Sequence, residues 1–86
     1  MILEFMTSPE VELVTRDTVV VIPTGSLEQH GPHLPLFTDT LLATAVAKEL
    51  ERSMAQDVLL TPGLWLGASS HHLAFCGTLS NSSSGY

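Results

Sequence analysis

Five residues, Thr18 to Ile22, read T-V-V-V-I and restrict the fold more than any other stretch. All five are β-branched, which makes them stiff at χ1 and better suited to a pleated strand than to a helix. The run is apolar on both alternating faces. It therefore predicts a strand over residues 18–23, buried on both sides, as in a parallel sheet covered by helices. Pro23 ends it. A helix is predicted over residues 39–55, capped by Thr38 or Asp39. Leu42, Val46, Leu50 and Met54 recur every fourth position on one stripe, with Leu41 and Ala45 beside it. That stripe is expected to pack on the sheet, with Lys48, Glu51 and Arg52 outside it. V-L-L at 58–60 starts a second strand, over 58–61, ended by Pro62. Strand, helix and strand make one βαβ unit with a right-handed crossover.

A short helix should precede this unit. Ser8-Pro9-Glu10 reads as N-cap, first helical position and first-turn acid, with the helix running to about Arg16. Residues 1–7 show no clear period and are expected to fray or to need a partner. Residues 63–80 read as loop, broken by Gly63, Gly67 and Gly77. The last six residues, N-S-S-S-G-Y, predict a disordered tail over 81–86.

One helix and two strands cannot cover a strand on both faces. The pattern thus predicts an α/β fold of which residues 1–86 are the N-terminal portion of a single larger domain. Composition agrees. The 86 residues are 44% hydrophobic and 14% charged, apolar for a chain that buries only about 60–65% of its surface on folding. Part of that surface is expected to meet a partner or the rest of a domain. Net charge is −6 with three Lys and Arg, which builds no basic face for nucleic acid or an anionic membrane. Cys76 is the single cysteine, so no intrachain disulfide forms. The first residues lack a signal-peptide pattern, and no apolar run nears the ~20 residues of a membrane span. These features predict a soluble, cytoplasmic protein.

The loop between the first strand and the long helix carries the chemistry. Its residues 23–39 read P-T-G-S-L-E-Q-H-G-P-H-L-P-L-F-T-D. Glu28 and His30 are two apart, and in extended backbone both point to one side. Asp39 follows at the helix start. A carboxylate and an imidazole from a strand end, with a second carboxylate from a helix start, form a candidate metal-ligand set. Such oxygen and nitrogen donors suit zinc, manganese or iron(II). Two other readings stay open on residue type alone. Asp39 is also a good N-cap, and polar loop residues often bond the backbone.

From Gly25 to Asp39 the chain resembles the creatininase family of metal-dependent amidohydrolases. It matches that family's G-S-x-E-Q-H-G-x-H-L-P-x-x-T-D motif at every fixed position. A weaker match, to G-x-S-x-x-H-x-x-F-P-G-T-x-S, runs from Gly67 to Ser80, with Cys76 where the family has proline. The resemblance spans roughly residues 8 to 80. It implies a layered fold with a mostly parallel sheet. It also implies that Glu28 binds one metal, His30 a second, and Asp39 bridges both. Two divalent ions per complete site are implied, zinc first, with manganese or iron(II) as alternatives. His33 is expected to hold a ligand or the loop in place. Ser69 and His72 are pocket candidates, and Trp65 is a pocket wall or a core residue. His71 and His72 are adjacent and expected to point apart. Cys76 reads as inert.

The reaction implied is hydrolysis of a C–N bond in an amide or cyclic amide, with a hydroxide held by the metals as nucleophile. The implied substrate is a small amide or a short peptide, and full-length relatives are implied to be homo-oligomers. The family also supplies a histidine and a glutamate ligand from beyond residue 80, and residues 81–86 contain no His, Asp or Glu. The chain alone is therefore expected to be incomplete and inactive. The alternative reading is a non-catalytic fragment or a module that binds a partner through its apolar surface.

Overall fold

The computed structural model describes residues 1–82, 84 and 85. Strand β1, Val19–Val21, pairs in parallel with β2, Val58–Leu60, with Val19 opposite Val58 and Val21 opposite Leu60. Between them runs a helix, Thr38–Ser53. Parallel strands need such a crossover, so the chain forms the βαβ unit that its apolar runs predict.

Burial is distributed differently from expectation. Val58, Leu59 and Leu60 are all buried, whereas Val19 and Val20 are 61% and 51% exposed. The reason is position in the sheet. β2 is central: β1 flanks it on one side, and on the other Ile2 forms a parallel bridge to Leu60, whose N–H donates to the Met1 carbonyl at 2.8 Å. β1 lies at the edge, and the long helix packs on β2 instead. Residues 1–7, expected to fray, thus extend the sheet through Ile2, and Leu3–Phe5 form a 3₁₀ turn. Full burial of a Val or Leu side chain contributes about 1.5–3 kcal/mol, so the three β2 residues anchor the apolar core.

A short helix, α1, spans Ser8–Glu12. Its N-cap is Thr7, not Ser8. The Glu10 N–H donates to Thr7 Oγ1 at 3.4 Å, and the Thr7 N–H donates to Glu10 Oε1 at 2.9 Å, a reciprocal capping box. The Thr7 N–H and the Thr7 hydroxyl, both donating to Glu10 Oε1, hold the Glu10 carboxyl below its ordinary range. The helix stops well short of Arg16. It buries no residue, and three-residue turns, Val14 N–H to Val11 carbonyl and Thr18 N–H to Thr15 carbonyl, take over beyond it.

The long helix, α2, also departs from its predicted packing. Leu42 and Val46 are 62% and 71% exposed, and Leu50 and Met54 are exposed too. The inward face is Thr40, Thr44, Ala47 and Glu51, with Thr40 and Ala47 buried. Small side chains on that face let the helix approach the sheet and loop closely. The bulky stripe faces outward because no described residue covers that side.

Segment 63–80 is loop apart from a 3₁₀ turn at Ser70–His72. It is tied back by an antiparallel bridge between Leu27 and Leu79. The expected disordered tail includes residues 83 and 86, which lie outside the described residues. Within it, the Asn81 N–H donates to the Gly67 carbonyl at 2.9 Å. Among the described residues, no helix is long and apolar enough to cross a membrane.

Candidate metal centre

The chain leaves β1 at Pro23 and stays extended. Thr24 bridges Leu64, the Gly25 N–H donates to the Leu64 carbonyl at 2.8 Å, and the Leu64 N–H donates to the Pro23 carbonyl at 2.9 Å. On the other side, the Leu79 N–H donates to the Leu27 carbonyl and the Gln29 N–H to Thr78 Oγ1, both at 2.9 Å. Residues 24–29 are thus pinned between segments 63–64 and 78–79. The extended backbone sends Glu28 and His30 to the same side. Gly31 then takes φ +68, the left-handed region that glycine enters without steric cost, and the chain turns toward α2.

Gly25 fixes how close the loop comes to α2. A Cβ there would lie 2.3 Å from Thr40 Oγ1 and 2.5 Å from Thr40 Cα. The contact is locked by Thr40 Oγ1, which donates to the Ser26 carbonyl at 3.0 Å. Asp39, one residue before Thr40, is thereby brought to the loop. It is not the N-cap: Phe37 holds that position without a side-chain cap bond, and Asp39 lies inside the first turn with its carboxylate directed to the loop.

Glu28, His30 and Asp39 each offer a ligand atom, and these atoms lie within 4.8 Å of one another. His30 Nε2 is 3.1 Å from Asp39 Oδ1, and its Nδ1 is 3.2 Å from the Glu28 carbonyl. A carbonyl only accepts, so Nδ1 carries a proton and Nε2 faces the carboxylates. The Glu28 carbonyl, opposed by partial burial and helped by the Asp39 carboxylate, raises the His30 pKa above its ordinary value. Asp39 is shifted the other way. The Ser26 hydroxyl donates to Asp39 Oδ2 at 2.7 Å and is the main cause, with His30 beside it.

Two donors on one tetrahedral ion with bonds of about 2.0–2.2 Å lie roughly 3.3–3.6 Å apart. The 3.1 Å approach of His30 to Asp39 is close to that spacing, so the residues fit a divalent ion with small adjustments. Charge points the same way. An open cavity of about 580 Å³ includes Glu28, Asp39, Ser26, Ser69 and His71 in its lining, and no Lys or Arg among the described residues lines it. Two carboxylates gathered with imidazoles as the basic groups beside them can take up a cation.

The remaining candidates divide. Ser69 is buried on the cavity wall, where its backbone N–H donates to Ser80 Oγ at 2.7 Å. His72 is half-buried with Nε2 3.9 Å from Glu28 Oε2. The expectation that His71 and His72 point apart is overturned. Their rings are 4.2 Å apart between centroids, and both present a nitrogen within 4.8 Å of Glu28. Both lie on the 3₁₀ turn Ser70–His72. His33 is exposed, and the structure does not bring it to the carboxylates. Trp65 lines a separate cavity and lies 6.4 Å from the Phe37 ring. Cys76 is exposed. Sequence reasoning missed Ser26 and Thr40 as supporting residues. Their signal was present in the sequence, because each neighbours a residue already singled out.

Comparisons with known proteins bear on the family and the fold. The model of the family described as creatininase, creatinine amidohydrolase, matches residues 4–86. The chain is 47% identical over 77 residues to the mycofactocin precursor peptide peptidase of Mycobacterium tuberculosis (strain CDC 1551 / Oshkosh), covering 80% of this chain and 31% of the relative. It is 39% identical over 61 residues to the creatinine amidohydrolase of Pseudomonas putida, covering 71% of this chain and 23% of that protein. A crystal structure of creatinine amidohydrolase superposes with a TM-score of 0.82 at 33% identity, over 94% of this chain and 33% of that one. The chain spans about a third of the length of that peptidase and of that crystal structure's chain.

Proposed function

The chain belongs to the creatininase family, and from that premise we propose that Glu28, His30 and Asp39 hold a divalent metal ion for hydrolysis of an amide C–N bond. The observation that carries the proposal is the convergence of these three donors within 4.8 Å of one another on a cavity whose lining includes no Lys or Arg among the described residues. Mixed oxygen and nitrogen donors suit zinc first, with manganese or iron(II) as alternatives. When bound, such an ion lowers the pKa of a water molecule and polarises a carbonyl oxygen.

The protein's own residues set the stage for that chemistry. His30 commits its Nδ1 proton to the Glu28 carbonyl and so presents Nε2 to the centre. Ser26 holds Asp39 Oδ2 and leaves Oδ1 on the His30 side. Partners of this kind fix ligand orientation, and their loss typically weakens metal affinity about 10–100-fold. In the reaction, a water oxygen bonds to the carbonyl carbon, the C–N bond breaks, and the nitrogen leaves as an amine carrying a proton from that water. The cavity of about 580 Å³ is of the size that accepts a small molecule or a short peptide segment. Identity is higher to the precursor peptide peptidase than to the creatinine amidohydrolase, 47% against 39%, which favours a peptide amide over a creatinine-like ring.

Activity is proposed for a family-length domain, of which these residues supply one part of the site. A second reading has its own observation. β1 and the Leu42–Val46 stripe of α2 are exposed, so the chain also presents an apolar surface suited to a covering polypeptide, without catalysis of its own.

Equilibrium dialysis against zinc or manganese, followed by metal analysis, tests the proposal. The expected result is an ion whose retention is lost in Asp39→Asn and His30→Gln, with no amide turnover by the 86-residue chain alone. Metal retention that is indifferent to both substitutions would overturn it.

A further inference from the structure

We propose that the open edge of β1 is a self-association surface, and that its partner is the β1 edge of a second copy of this chain, paired antiparallel about a two-fold axis at Val20. The pairing does not depend on the metal centre, and it gives part of the exposed apolar surface one occupant. Among the described residues β1 pairs with β2 alone. Val19 and Val20 are consecutive, so they point to opposite faces of the sheet. Both are more than half exposed, at 61% and 51%. The strand is therefore open along one edge and on both faces.

The backbone sets which groups the edge offers. Val21 is turned toward β2, since its carbonyl accepts from the Thr61 N–H at 3.0 Å. Successive residues of a strand turn their peptide groups to opposite edges. The N–H groups of Val20 and Ile22 and the carbonyls of Thr18 and Val20 therefore point to the open edge. The Thr18 N–H is already taken, donating to the Thr15 carbonyl at 3.1 Å, and Pro23 has no N–H to offer. In an antiparallel pair centred on Val20, the two Val20 residues exchange N–H and carbonyl. Each Ile22 N–H then donates to the Thr18 carbonyl of the other copy. The ladder ends there on both sides, at the engaged Thr18 N–H and at Pro23. Unpaired edge groups of this kind are a template for another strand.

The side chains make the edge complementary to itself, which selects a second copy as the partner. Val20 falls opposite Val20, Val19 opposite Val21 and Thr18 opposite Ile22, so every cross-strand pair is β-branched. Packing between such directly opposed side chains is what stabilises an antiparallel pair. Asp17 falls opposite Pro23 and Arg16 opposite Thr24, so no like charges meet. A parallel pairing in register would set Asp17 beside Asp17. Each copy carries a net charge of −6, but none of it lies within residues 18–22, and that diffuse repulsion is screened by salt. The usual guards of an edge strand, a Lys, a Pro or an inward charge, are absent from the same five residues. A two-fold contact uses one patch on both copies and closes on itself. The product is a continuous sheet in the order β2, β1, β1, β2.

The test is analytical ultracentrifugation of the 86-residue chain against concentration, with amide hydrogen exchange read by NMR. Wild type should form a dimer that dissociates on dilution. The Val20 and Ile22 amides should exchange at least tenfold more slowly in the dimer than in the diluted chain. Val20→Lys sets two like charges opposite each other and should weaken the dimer tenfold or more. Val20→Glu should do the same, and an equal mixture of the two variants should restore a dimer. That rescue separates loss of pairing from loss of fold, and the exchange measurement on wild type needs no variant. Leu42→Lys, on the exposed stripe of α2, should dimerise as wild type does. The proposal is overturned if the chain stays monomeric up to about 1 mM. It is also overturned if a dimer forms with Val20 and Ile22 exchange unchanged, or if Leu42→Lys dissociates the dimer and Val20→Lys does not.

Discussion

Replacing Gly25 by alanine should be the most damaging single-methyl change in the chain. The added Cβ would meet Thr40 Oγ1 at 2.3 Å, Thr40 Cα at 2.5 Å and Thr40 N at 2.7 Å. Carbon atoms rest about 3.5–4.0 Å apart, so the loop and the first turn of α2 must separate by about 1 Å. Two of the three contacts are backbone atoms, and no rotamer relieves them. Overpacking of this kind costs about 1–3 kcal/mol, and the rigid contacts put Gly25→Ala at the upper end. A domain of this size melts about 4–8 °C lower for each kcal/mol lost, so a fall of roughly 12–24 °C is expected by thermal circular dichroism. The same shift moves Asp39 away from His30, while metal sites tolerate only about 0.2 Å in their bond lengths. Zinc affinity should therefore fall at least tenfold by calorimetric titration. Gly63 is the internal control, because a Cβ there meets Thr44 Oγ1 at 3.5 Å and the Pro23 carbonyl at 3.6 Å, ordinary contacts. Gly63→Ala should melt at or slightly above wild type. If Gly25→Ala and Gly63→Ala melt together near wild type, the close approach of loop and helix does not hold the site.

Leu60→Ala should cost about 2–5 kcal/mol, since Leu60 is buried between β1 and the Ile2 segment; denaturant titration checks it, and Leu42→Ala on the exposed stripe of α2 should cost far less. In metal-free buffer the His30–Asp39 pair should give a stability plateau. The raised His30 pKa contributes stability that is present at low pH and lost as pH rises through it, and the lowered Asp39 pKa contributes stability that is lost as pH falls through it. Melting temperature against pH should thus drop on both sides, and His30→Gln should remove the alkaline loss. Ser26→Ala should leave the fold intact and weaken zinc binding about 10–100-fold by removing the donor to Asp39.

The apolar runs made the βαβ order legible, because a β-branched run, a helical period and a second short apolar run leave few alternatives. They did not reveal which strand is central. T-V-V-V-I looks like the more buried strand, yet V-L-L occupies the middle of the sheet, because the Ile2 segment joins its far edge. Residues 1–7 carry no period from which that pairing follows. The helix stripe misled for a related reason: bulk at four-residue spacing marks an apolar face, but not which of two faces meets the sheet. The donor geometry of Glu28 and His30 followed from strand alternation alone. The approach of Asp39 depended on Gly25 against Thr40, a contact between residues fifteen apart that no local pattern encodes. The rings of His71 and His72, expected to diverge as neighbours, come within 4.2 Å of each other between centroids, which no spacing in the sequence signals.

The two halves of the proposed site are held by different physics, and this orders their sensitivity. Glu28, His30 and Asp39 sit on the βαβ unit itself, at the end of β1 and the first turn of α2, the end of an open parallel sheet where ligands gather. Their positions fail only if the helix separates from the loop. His71 and His72 ride on segment 67–81, which reaches the unit through Leu79 to Leu27 and Gln29 to Thr78 and is closed on itself by Ser69 to Ser80 and Asn81 to Gly67. Segments held by so few contacts open at lower free energy than packed elements. Heating or mild denaturant should therefore release the His71–His72 segment before the His30–Asp39 contact is lost, read by the NMR signals of the three imidazole rings. Thr78→Ala, which removes the hydroxyl that accepts from Gln29, should widen the gap between the two release temperatures. Simultaneous change at His30 and at the His71–His72 pair, in wild type and in Thr78→Ala, would mean that the loop and the βαβ unit open as one body.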